Sequence, residues 1–187
     1  LLFLAASAKG CEDPETAQKA YEQRKGRPSF FAAKDPLRAL RLRLMREGGS
    51  LFGDKGRMQD KGYSPPSRLR DEIIDGGTAS VPLLIKLLSD QTATNQKIGC
   101  YWYGARVSAL ALAALGDLFL DASWQHSTMP VEPVTGADKN DAAWTAFEKV
   151  IEANGPNVYR KVWEAAWAKY GGRAYWDSGE QCFKLRS

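Results

Sequence analysis

The stretch ASVPLLIKLLSDQTATNQKIGCYWYGARVSALALAALGDLF, residues 79–119, decides how the chain is read. It holds two apolar runs kept apart by a polar and aromatic insert. In the first run Val81, Leu84, Ile85 and Leu88 fall on one stripe at helical spacing, with Ser80 placed to cap and Pro82 within the first turn. In the second, Val107, Leu110, Ala111, Ala114 and Leu118 form a matching stripe whose small alanines let two helices approach closely. The pattern predicts a packed helix pair over 79–89 and 106–119. Helix connections usually span roughly 2–8 residues. The segment QTATNQKIGCYWYGA, residues 91–105, is about twice that, and its length needs a reason.

Working outward, DPLRALRLRLMREGG predicts a helix that Asp35 caps, Pro36 opens and Gly48-Gly49 ends. Leu37, Leu40 and Leu44 share its inner side, and Arg38, Arg43 and Arg46 lie across from them, so the helix reads as amphipathic and basic outside. Residues 12–25, EDPETAQKAYEQRK, read as a surface helix with acids at its start and bases at its end. The glycine- and proline-rich residues 50–66 lack a period and read as a long loop, as does SWQHSTMPVEPVTG, residues 123–136. Beyond it, Asp141 is placed to cap a helix with Ala143, Phe147, Val150 and Ile151 on its buried stripe and Asn154-Gly155 at its end. A last helix carries Tyr159, Trp163, Ala166, Trp167 and Tyr170 on one face. In the tail, RAYWDSGEQCFKLRS, alternation is too brief to name a strand. These elements predict a mainly α fold: an irregular helical domain over residues 12–187 with long loops.

The runs IIDGGTASVPLLIKLLSD and RVSALALAALGDL together resemble the helix pair of a HEAT repeat whose first helix starts on proline. The resemblance covers residues 73–118 and is carried by Gly76, Pro82, Leu84, Leu87, Leu88, Asp90, Val107, Ala111, Ala114, Leu115 and Gly116. The chain departs from the family in the long joint and in having no second clear repeat, whereas repeat solenoids bury their faces by stacking several units. The resemblance therefore implies one HEAT-like hairpin within an irregular domain. It implies a binding scaffold and transfers no catalytic residue.

At 187 residues the chain is long enough to bury one substantial core without metal or disulfide help. The net charge of +4 arises before residue 76, where fifteen Lys and Arg face eleven Asp and Glu, so the positive excess is local and modest. The start, LLFLAASAKGC, lacks an initiator Met and reads as the remnant of an export signal or lipoprotein signal, with Ala6-Ser7-Ala8 fitting a cleavage pattern and Cys11 as the lipidation candidate. The other reading of these residues is an apolar first helix packed on the core. Cys11, Cys100 and Cys182 are too scattered for a metal cluster, and export would make Cys100 with Cys182 the disulfide candidate. In a cytoplasmic protein all three would be plain thiols.

Catalytic signals are thin. His126 is the lone histidine and has no recognisable nucleophile beside it, and Asp117 with Asp121 reads as the polar end of a helix. Gly48, Gly49, Gly53, Gly56 and Gly62 match neither phosphate-loop pattern. No cofactor, metal or catalytic residue is assigned. The insert stands out, because Tyr101, Trp102 and Tyr103 beside a glycine cannot all face inward, and exposed Trp and Tyr are common binding anchors. Its polar residues Gln91, Thr92, Thr94, Asn95 and Gln96 would supply the rim of such a surface.

The leading expectation is a non-enzymatic protein-interaction module of the bacterial envelope, periplasmic or secreted, of adaptor or immunity type. Its interaction surface is Tyr101, Trp102, Tyr103, Arg38, Arg43 and Arg46, shaped by loops 50–66 and 90–105. The partner is a protein, and the membrane is reached only through a lipid at Cys11. A nucleic-acid-binding HEAT-like module is the alternative, disfavoured by the modest charge, and an envelope hydrolase comes third.

Overall fold

The computed structural model describes residues 29–51, 67–98, 102–119, 140–177 and 182–186. The fold is mainly helical, as the sequence predicts. Helix α1 (Pro36–Glu47) starts where expected: Asp35 Oδ1 accepts the Arg38 amide at 2.9 Å and Pro36 opens the first turn. Leu40 and Leu44 are buried on its inner side. The α-helix ends at Glu47 with Gly48 as its C-cap, as Gly48-Gly49 predicts, and the chain then tightens into a 3-10 turn over Gly48–Leu51. Close packing accounts for Gly48, where a Cβ would stand 2.9 Å from Leu110 Cδ1.

Helix α2 (Arg68–Asp75) is capped by Ser67, whose hydroxyl accepts the Arg70 amide at 3.2 Å. A 3-10 turn, Gly77–Ala79, leads into helix α3 (Ser80–Leu87). Ser80, the expected cap, instead lies inside the first turn of α3 and is fully buried. Its hydroxyl donates to the Ile73 carbonyl at 2.7 Å, tying α3 back to α2. Gly76 sits in the crease between them, where a Cβ would come within 2.3 Å of the Phe31 ring.

After α3 the insert forms two short antiparallel strands, β1 (Lys97–Ile98) and β2 (Trp102–Tyr103), and the chain enters helix α4 (Val107–Leu118). Helix α4 is the axis of the core. The sequence predicts one buried stripe, yet every residue from Val107 to Leu115 is buried. The cause is enclosure: α1 and α3 pack against α4, and the C-terminal hairpin adds a further wall. A helix covered on all sides needs apolar or small side chains all round, which Ala109, Leu112, Ala113 and Leu115 supply.

Helix α5 (Asn140–Asn154) begins one residue before Asp141, so Asp141 lies inside the helix rather than at its cap. Phe147 is buried and Ile151 packs on the core, whereas Val150, expected on the same stripe, is 36% exposed. Phe147 meets the next helix, its ring 4.7 Å from that of Tyr159. Gly155, at φ +84°, terminates α5 in the left-handed conformation that its position predicts. Helix α6 (Val158–Tyr170) buries Tyr159, Trp163 and Ala166 and lies against α3. Burial pushes the Tyr159 phenol above its ordinary titration range.

The tail is a true hairpin of β3 (Ala174–Asp177) and β4 (Cys182–Leu185), paired antiparallel with Trp176 opposite Phe183. Phe183 stacks on Phe119 at 5.0 Å, and Trp163 meets the same Phe119 at 5.5 Å. Aromatic packing on the end of α4 thus stabilises strands too short to be read from alternation.

Candidate interaction surface

The connection between α3 and α4 is built as a ladder. The Ser108 amide donates to the Asp90 carbonyl at 2.9 Å, Val107 to Thr92 at 3.0 Å, Thr94 to Ala105 at 3.2 Å and Ala105 to Gln96 at 3.0 Å. Ala93 bridges Arg106, and Lys97 and Ile98 pair with Tyr103 and Trp102. Gly104 has φ +69°, a conformation that favours glycine. The two sides of the insert therefore satisfy each other's backbone groups, which is what a long connection needs if it is to hold one shape.

The polar residues expected to form a solvated rim are largely turned to structural use. Thr94 is buried; its hydroxyl donates to the Ala105 carbonyl at 2.5 Å and accepts the Gln96 amide at 3.0 Å. Gln91 donates to the buried Ser108 hydroxyl at 3.2 Å and accepts from Arg106 at 3.1 Å. Asn95 remains exposed. These bonds remove the cost of placing polar side chains against the core.

Helix α1 holds the insert from the side. Arg41 Nε donates to Asp90 Oδ2 at 2.5 Å and Arg41 Nη2 to Thr92 Oγ1 at 2.8 Å, while the Thr92 amide donates to Asp90 Oδ1 at 3.0 Å. Further along, Gln96 Nε2 donates to the Arg46 carbonyl at 3.1 Å, and the Gly49 amide donates to Gln96 Oε1 at 3.0 Å. Burial alone would raise the Asp90 titration. The hydrogen bonds from Arg41 and Thr92, with the Arg41 charge, outweigh it and hold the carboxyl below its ordinary value of 3.8.

The three arginines grouped by the sequence separate. Arg43 is turned inward, 18% exposed, pairing with Glu47 and, through Nη1, with both Glu72 oxygens at 3.1 Å. Glu72 is buried and also accepts from Arg68 Nε and the Phe30 amide, each at 3.0 Å. Arg43 is therefore a strut between α1, α2 and the turn at Phe30–Ala32. The sequence groups it with Arg38 and Arg46, but at about 100° per residue Arg43 stands only about 60° from Leu40, on the flank of the buried stripe, from where its guanidinium reaches a buried carboxylate. The four-residue spacings Arg43–Glu47 and Arg68–Glu72 were the available signal. Arg38 and Arg46 remain exposed, with Leu42, 36% exposed, between them.

Trp102 and Tyr103 form β2, placing two of the three expected anchors on the ladder next to α4. Tyr101, Cys100, Cys11, His126 and Asp121 lie outside the described residues, as do residues 12–25, 52–66 and 123–136; Asp117 lies in the last turn of α4. Cys182 is buried in β4. Among the described residues no group of three or more His, Cys, Asp or Glu is arranged to hold a metal ion, and no helix is long and apolar enough to cross a membrane. The chain matches no family model, no curated protein and no solved structure.

Proposed function

We propose that this protein is a non-enzymatic helical module that binds another protein through one surface, formed by the ladder of residues 90–106 and the outward side of α1. The observation that carries this reading is the double attachment of the insert to α1, by Arg41 to Asp90 and Thr92 and by Gln96 to Arg46 and Gly49. A connection that only joined α3 to α4 would need neither the extra residues nor these attachments. Held this way, residues 90–98 and 102–106 are fixed before any partner arrives, and that lowers the entropic cost of binding. Residues 101–103 then provide the anchor and the exposed arginines the polar margin. The small-residue pattern Ala6-Ser7-Ala8 ahead of Cys11 is the motive for placing such a binder in the bacterial envelope or outside the cell, in an adaptor or immunity role.

Trp102→Ala tests the reading. A partner captured from the source organism is identified by mass spectrometry, and its affinity for wild type and variant is then measured by calorimetry. The expected result is an unchanged thermal midpoint with binding weakened by about 2 kcal/mol, roughly 30-fold. A stability loss of about 3–5 kcal/mol with unchanged affinity in the folded fraction would show that Trp102 serves packing instead.

A further inference from the structure

Helix α1 sorts its charges by side. Both acids at its ends are engaged, Asp35 on the Arg38 amide and the buried Glu47 with Arg43. Of its arginines, Arg41 is neutralised by Asp90 and Arg43 by Glu47 and Glu72. On the outward side this leaves Arg38, Leu42 and Arg46, all exposed, and the exposed Lys34 precedes the helix. Among the described residues none of these three cations has a carboxylate partner, and the outward stripe of α1 carries no acid. Arg38, Leu42 and Arg46 follow one another at four-residue steps, so the two arginines stand about 12 Å apart along the axis with a leucine midway. A lone exposed leucine is ordinary. One bracketed by two unneutralised cations at helical spacing matches the complement of another helix.

We propose that this stripe docks an acidic amphipathic helix of the protein partner, in which carboxylates at positions i and i+8 bracket an apolar side chain at i+4. The inference rests on reading the protein as a protein-binding module and adds the chemistry of what it binds. Charge complementarity requires an anion at each end, and Leu42 requires an apolar contact between them. A nucleic-acid backbone would satisfy the arginines but set Leu42 against phosphates or solvent. An anionic membrane surface ordinarily needs a denser cluster of about 4–8 bases and a wider apolar face. The stripe is also continuous with the ladder, since Arg46 offers its carbonyl to Gln96 and Arg41 holds Asp90.

The probe is a fluorescently labelled, alanine-based helical peptide with Glu, Leu and Glu at four-residue steps, followed by anisotropy at low salt. The control peptide carries Lys in place of both Glu. The Glu peptide should bind the wild-type protein, weaken with added salt, and lose about tenfold or more in affinity for the Arg38→Glu/Arg46→Glu double variant. Leu42→Ser should lose severalfold with its salt dependence kept. All three positions are exposed, and a circular-dichroism melt checks that each variant folds; Lys34→Glu is the fallback. Equal binding of the Lys control, no binding of the Glu peptide, or indifference to the double variant would overturn the proposal. So would tighter binding of a single-stranded oligonucleotide or of phosphatidylserine vesicles at the same arginines. The two readings fail separately. If Trp102→Ala weakens the natural partner while the Glu peptide does not bind, the stripe proposal falls and the module stands. If the peptide binds as expected while Trp102→Ala weakens nothing, the ladder is removed from the binding surface.

Discussion

Helix α4 and the insert that leads into it are neighbours held by opposite means. From Val107 to Leu115 the helix is buried throughout, and its place is fixed by apolar contact with α1, α3 and the C-terminal hairpin. Of the insert's described side chains only Ile98 and Ala105 join the apolar core, and the segment is fixed by named donors and acceptors: Arg41 on Asp90, Thr94 on Ala105, Gln96 on Arg46. Hydrophobic burial is non-directional and tolerates small displacements. Hydrogen bonds are directional, and each depends on one particular partner. The helix should therefore fail globally when it fails, and the insert locally.

The largest effect is expected where burial alone holds the structure. Leu84 is fully buried on the α3 stripe, within the core that encloses α4. Leu84→Asp places a carboxylate there with no partner and should abolish the cooperative thermal transition, because an unpaired buried charge exceeds the roughly 5–15 kcal/mol that stabilises a typical domain or consumes most of it. A circular-dichroism melt close to wild type would remove the packed helix pair from this account.

A smaller loss should follow when direction and burial act together. Glu72 is buried and receives Arg43, Arg68 and the Phe30 amide, so Glu72→Ala leaves two guanidinium groups and an amide facing a gap. The expected destabilisation is about 3–5 kcal/mol, read from urea unfolding with the slope unchanged. Replacement by a well-packed apolar side chain together with Arg43→Met should recover part of it. If the single variant costs under about 1 kcal/mol, the cluster is solvated and behaves like a surface ion pair.

The same division explains what could be read from the residues. The start of α1 was visible in Asp35-Pro36, the end of α5 in Asn154-Gly155, and the α3–α4 pair in the apolar period, because each signal lies within a few residues of its effect. The pairing of Arg43 with Glu72, 29 residues away, and the attachment of the insert, whose partners Arg41 and Asp90 are 49 apart, leave no such local signal. The β3–β4 hairpin was hidden for a related reason: four-residue strands are stabilised by Phe119 and Trp163, far off in the chain. Of the expected surface, Arg38 and Arg46 are exposed, and Trp102 and Tyr103 lie on the ladder. The joining of these two parts through Arg41 and Gln96 depended on contacts that no local spacing encodes.

The smallest effect is the one that isolates the insert. Asp90 has its titration held below 3.8 in the folded chain, so the sign is that of a depressed carboxyl. Its contribution to stability is fully present above the unfolded value and is lost as the pH falls through the folded one. Asp90→Asn keeps the shape but gives up the charge that Arg41 pairs with, and at neutral pH it should be less stable than wild type by about 1 kcal/mol or less. That gap should close as the pH is lowered below 3.8, because the wild-type carboxyl then becomes protonated as well. Amide hydrogen exchange locates the loss. The Thr92 amide, which donates to Asp90 Oδ1, and the Ser108 amide, which donates to the Asp90 carbonyl, should exchange faster in the variant. Those of Leu110 and Leu112, inside the buried helix, should keep their protection. Faster exchange along all of α4 would mean that the insert and the helix open as one unit. The contrast between a packed axis and a separately pinned ladder would then have to be given up.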